Sequence, residues 1–165
     1  MKKLLFLLLI STSAIAQISL PVPLNIQSTY DKGTRSTDGK PGKNYWQNSA
    51  DYTININYNP DTRLLTGTEE IDYINNSADV LHEIVFKLYP NIYKKGNIRD
   101  LAVEATDLTD GVTIQSISLN GNNSSFNIKG TNMIVPYTMV QPKQKIHFNI
   151  KYHYCPTKLQ IKGQF

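Results

Sequence analysis

The chain has 165 residues, of which 40% are apolar, 10% aromatic and 18% charged, with a formal charge of +4 and a single cysteine. That size and apolar share exclude a disordered tail and fit one domain with its own core. Lys and Arg are scattered along the chain, which excludes a nucleic-acid groove or an anionic-membrane patch, and Cys155 has no second thiol to pair with.

Residues 1–16 read as an export signal. Lys2 and Lys3 supply a positive start, Leu4 to Ile10 an apolar stretch, and Ala14-Ile15-Ala16 a small-x-small site with cleavage expected after Ala16. The apolar run is far short of the roughly 20 residues of a bilayer helix, so no membrane span is expected in the mature chain, which would be periplasmic or extracellular. Loss of Lys2 and Lys3 takes the charge from +4 to +2, leaving a nearly neutral protein.

Residues 17–44 carry breakers and small polar groups, as in Ser36-Thr37-Asp38-Gly39-Lys40-Pro41-Gly42, and read as a flexible arm or linker with Leu20, Val22 and Leu24 packed on the domain surface. The pattern then turns to a period of two. Tyr52, Ile54, Ile56 and Tyr58 alternate with polar residues, giving a strand with one apolar face. Asn59-Pro60-Asp61-Thr62 predicts a hairpin turn, with a return strand over 64–75.

A third strand is expected over 80–89, with Ile84, Phe86 and Leu88 on one side and Leu81 and Val85 on the other. Two apolar sides suggest a central strand or a covered edge. Residues 91–111 read as irregular, with 102–108 the one weak helical stretch. A strand over 112–119 turns at Asn120-Gly121-Asn122, which tolerates positive φ. Short strands are expected over 126–128 and 133–135 around Gly130. The last strand places Ile146, Phe148, Ile150, Tyr152 and Tyr154 on one face, after a turn at Gln141-Pro142-Lys143. Seven or so short strands at regular intervals predict an all-β antiparallel sandwich or saddle-shaped sheet pair over 45–154, followed by an atypical tail over 155–165.

Residues able to carry chemistry are few. His147 and His153 lie on the polar side of the last strand, six positions and so about 20 Å apart, and should face solvent. Glu69 and Glu70 are strand neighbours and point to opposite faces, so they cannot share a proton. Glu69 falls on the more apolar face, as at a sheet rim. Cys155 has no elbow or partner that marks a nucleophile. The triplets beginning at Asn75, Asn122 and Asn123 match the glycosylation sequon by chance. Tyrosines at period-two positions are expected in the core, although exposed Tyr and Trp46 would offer stacking surfaces for sugars.

Three segments carry a family resemblance: Tyr45-Trp46-Gln47, the run Tyr58-Asn59-Pro60-Asp61-Thr62-Arg63-Leu64-Leu65-Thr66-Gly67, and Leu88-Tyr89-Pro90-Asn91. In this order and spacing they resemble the opening β-domain of the M1 family of zinc aminopeptidases, in the secreted form of Bacteroidetes-like bacteria. The resemblance spans about 44–154. It implies an N-terminal domain whose partner is the catalytic domain of the same polypeptide, with zinc as the cofactor of the full-length family. That family holds its zinc with a His-Glu-x-x-His helix and grips the substrate's amino end with a Gly-x-Met-Glu-Asn segment. Neither motif occurs in this sequence, so no catalytic, substrate-binding or metal residue is expected in it, and the chain reads as a non-catalytic piece truncated before the catalytic domain. His82-Glu83-Ile84-Val85-Phe86 begins like the zinc motif, but Phe86 stands where the second His belongs, and on a strand positions four apart are separated by about 13 Å. The alternative expectation is a free-standing secreted β-sandwich that binds carbohydrate or protein.

Overall fold

A computed structural model describes residues 20–100 and 102–157. The signal segment, and most of the tail expected after Tyr154, lie outside the described residues. The chain divides into two compact units between Tyr45 and Trp46.

The first unit holds a short helix, α1 (Leu24–Asp31), where the sequence reading expected an arm without regular structure. Eight residues are marginal for an isolated helix. Local bonds hold it: Gln27 Nε2 donates to Asp31 Oδ1 at 2.8 Å, and the carbonyl of Thr29 accepts the amides of Thr34 and Arg35. A bridge between Arg35 and Pro41 then closes the breaker-rich loop. Leu20, Val22 and Leu24 are exposed, which corrects the expectation that they are packed away.

The second unit is all-β. Its strands are β1 (Ser49–Asn59), β2 (Leu64–Ile74), β3 (Leu81–Lys87), β4 (Thr113–Leu119), β5 (Asn122–Asn123), β6 (Asn127–Lys129), β7 (Asn132–Val140) and β8 (Lys145–Tyr154). They form an antiparallel five-stranded sheet in the order β1-β2-β8-β4-β5 and a three-stranded sheet in the order β3-β7-β6, the sandwich expected from the period-two pattern. The core lies between the sheets, built from Ile71, Ile117, Ile146, Phe148 and Ile150 on the larger sheet and Ile84, Met133, Val135 and Val140 on the smaller. Each such side chain contributes about 1.5–3 kcal/mol on burial. Phe86 meets Phe148 across the gap edge-to-face, with ring centres 5.1 Å apart.

The turns follow the sequence. Asn59 Oδ1 accepts the amides of Asp61 and Thr62, and Arg63 takes φ 59°. Asn120 and Gly121 both take positive φ, as a two-residue hairpin demands. Lys143 does the same in the turn before β8, where its amide donates to Asn75 O.

Four expectations are corrected or narrowed. First, β1 is an edge strand, and its period-two tyrosines Tyr52 and Tyr58, expected in the core, are 56 and 40% exposed, with Ile54 and Ile56 between them at 51 and 57%. Second, of the two placements expected for β3, a central strand or a covered edge, it takes the edge, and Val85 on its outer side is exposed. Third, the strand expected over 133–135 extends to Val140. Pro136 is tolerated because β7 past Ile134 has a neighbour on one side only. Fourth, the irregular segment after β3 opens with a 3-10 turn at Tyr89–Tyr93, whereas the weak helical stretch yields one 3-10 turn at Ala105–Asp107.

Candidate functional site

Register brings the apolar faces of four strands into rows. One row runs Ile56, Gly67, Tyr152 and Ile114, and the next runs Ile54, Glu69, Ile150 and Ile117. Glu69 therefore stands in the interior of the larger sheet, between β1 and β8, and not at a rim as the sequence reading had it. Beside it the two sheets part and leave a cleft of about 490 Å³.

The cleft is lined by Tyr52, Glu69, Ile150, Tyr152 and Ile114 from the larger sheet and by Val85, Phe86 and Lys87 from β3. Leu88, Tyr89, Pro90, Val112 and Met133 complete it. Apolar neighbours draw water away from Glu69, which holds its carboxyl above the ordinary range. Tyr152 is likewise pushed up, first by burial and then by the negative charge of Glu69, so its hydroxyl stays a neutral donor. Among the described residues the Glu69 carboxylate has no hydrogen-bond or ion-pair partner. Lys87 also lines the cleft, but its Nζ donates to Asn132 Oδ1 at 2.6 Å.

The lining holds one carboxylate, one ammonium and tyrosine hydroxyls, with no His, Cys or Ser. Such a set can bind and orient.

The histidines are kept apart. His82 is exposed on β3, with Nδ1 3.1 Å from Met139 Sδ. His147 pairs with Asp72 on the outer face of the larger sheet, Nδ1 to Oδ1 at 2.8 Å, while Lys145 Nζ sits 2.8 Å from Asp72 Oδ2. Those bonds, Lys145 first, hold the Asp72 carboxyl below its usual range. His153 lines a separate groove with Arg63, Cys155 and Thr157. Cys155 is a free, exposed thiol. Among the described residues no three of His, Cys, Asp and Glu come together as a metal would require, so the side chains present do not fit zinc.

Motif residues turn out to be fasteners. Asn48 donates to the Tyr73 hydroxyl and accepts the Asn76 amide at 2.8 Å, which clasps the entry of β1 to the exit of β2. Asn91, fully buried, accepts the Val112 amide at 2.7 Å and donates to Gly130 O at 3.3 Å. Gly111, at φ 79°, passes so close that a side chain there would stand 2.6 Å from Asn91 Oδ1. Asn75, also fully buried, donates to Val140 O and Asp79 O, so its amide is unavailable to a glycan in the folded protein.

Sequence reasoning missed the cleft. The signal available was Glu69 itself, an acidic residue on the apolar side of a strand.

No protein-family model matches the sequence, and no curated protein is significantly similar to it. Among solved structures the fold is similar to the M1 zinc metallopeptidase of Deinococcus radiodurans, at 13% identity and TM-score 0.46 over 71% of this chain. A mutant of that enzyme bound to a Tyr-Ser-Ala substrate is similar to the same degree, over 72% of this chain. The chain spans 22% of the length of that peptidase.

Proposed function

We propose that this chain is the N-terminal, non-catalytic β-domain of an exported, M1-like zinc aminopeptidase. In the intact protein its sheet face packs against the catalytic part, closes one side of the active-site cleft and keeps out long or folded substrates. The observation that carries this reading is the bare apolar stripe Ile54, Ile56 and Tyr58 on an edge strand that directly follows the family-like Trp46-Gln47. A row of apolar side chains left in water is unfavourable for a protein working alone and marks a surface meant to be covered. The three resembling segments supply the family.

The purified chain, given zinc and an aminoacyl chromogenic substrate, is expected to show no hydrolysis above a blank. Metal-dependent turnover overturns the reading. So does coding sequence downstream that carries no His-Glu-x-x-His frame.

A second reading, a free-standing module for carbohydrate or protein, is favoured by the exposed rings of Trp46, Tyr52, Tyr58 and Tyr89. Saturable binding on a glycan array would promote it.

A further inference from the structure

We propose that the cleft beside Glu69 binds an organic cation, an ammonium group carried on an apolar body. The cleft's volume of about 490 Å³ falls within the range of small-molecule sites. Its walls are largely apolar and aromatic, with Phe86, Ile150, Tyr52 and Tyr152 among them. Into this lining projects one carboxylate without a partner among the described residues, on a strand with a neighbour on either side.

Placing a carboxylate among apolar groups costs free energy unless a counter-charge meets it. Lys87, the one cation in the lining, is engaged by Asn132 instead. A ligand ammonium would supply the missing charge, and the tyrosine faces add cation–π attraction while the apolar body displaces water from the remaining wall. Each alternative leaves something unmet. A neutral apolar ligand buries Glu69 unpaired, an anion is repelled by it, and a metal ion finds one carboxylate and no second strong ligand.

The test uses the purified chain at pH 8 and three probes of one shape: phenethylammonium, 2-phenylethanol and 3-phenylpropanoate. Binding is followed by calorimetry and by backbone amide shifts. Phenethylammonium is expected to saturate, to shift the amides of Glu69, Ile150 and Tyr152, and to bind at least about tenfold more tightly than the alcohol, with the carboxylate weakest. Glu69→Gln should erase the preference for the cation over the alcohol. Glu70→Gln, which makes the same charge change on the opposite face, should leave it intact. Absence of saturable binding, equal affinity for the cation and the alcohol, or equal effects of the two substitutions would each overturn the proposal. The comparison of probes on the unsubstituted chain decides the matter even if a variant misfolds.

Discussion

The phenol ring of Tyr152 rests on the α-carbon of Gly67, its cross-strand partner: a β-carbon at Gly67 would stand 2.4 Å from the ring Cζ and 2.7 Å from the hydroxyl oxygen. The glycine of the Leu65-Thr66-Gly67 segment thus leaves room for a ring that forms one wall of the cleft. Gly67→Ala is expected to push that ring aside and destabilise the fold by about 1–3 kcal/mol. In urea unfolding, the double variant with Tyr152→Ala should lose less than the two single changes added together. Full additivity would show that the two residues do not press on each other.

Glu69 makes stability depend on pH in a definite direction. Its folded-state carboxyl is raised above the ordinary 4.5 by burial, so between the unfolded and folded pKa values the native chain binds more protons than the unfolded one. Stability contributed at this site therefore falls as pH rises through that window, and the penalty is full at neutral pH. Glu69→Gln should raise the melting temperature at pH 7, and the gain should vanish well below pH 4.5, as thermal scans across pH would show.

Asp72 acts in the opposite sense. Its carboxyl is lowered by bonds to Lys145 and His147, so its stabilising contribution is present above the unfolded value of 3.8 and is lost as pH falls through the folded pKa. Asp72→Asn should remove the part of the acid-side slope that salt screens, because the pair lies on the exposed face. Acid titrations at low and high salt, compared between the two proteins, check this.

Asn75 is a fully buried polar clasp. Its amide donates to Val140 O at 3.0 Å and to Asp79 O at 2.8 Å, while its Oδ1 accepts from the Ser77 hydroxyl and amide. Asn75→Ala strands several of these groups away from water and is expected to cost about 3 kcal/mol, read from the shift in the denaturation midpoint. Asn76→Ala, which removes a bond to Gln47 O on the exposed side, should cost well under half as much.

The β1 stripe yields a prediction about association. Ile54→Ser with Ile56→Ser removes apolar surface that is about half exposed already, so the fold should lose no more than about 1 kcal/mol. Sedimentation velocity should show less self-association at high concentration than in the parent chain. Unchanged association would mean that this face is not the sticky one.

The β class, nearly every strand and the hairpin turns were legible in the order of residues, because alternation along a strand and turn chemistry at Asn59, Asn120 and Lys143 are local properties. The sequence reading placed Asn75 at the end of the return strand and Asn91 at the start of the irregular segment, without showing that both are buried clasps. Which apolar face is covered emerges only once the sheets pack. Tyr52, Ile54, Ile56 and Tyr58 have the same alternation as Ile146, Phe148 and Ile150, yet the first set lies in water and the second in the core. Period tells that a strand has an apolar side. Whether anything lies against that side depends on strand order and on how far the opposing sheet extends, and these are set by contacts between residues distant in sequence. The same distance hid the cleft, for Glu69 and Phe86 face one cavity only because β2 and β3 belong to different sheets.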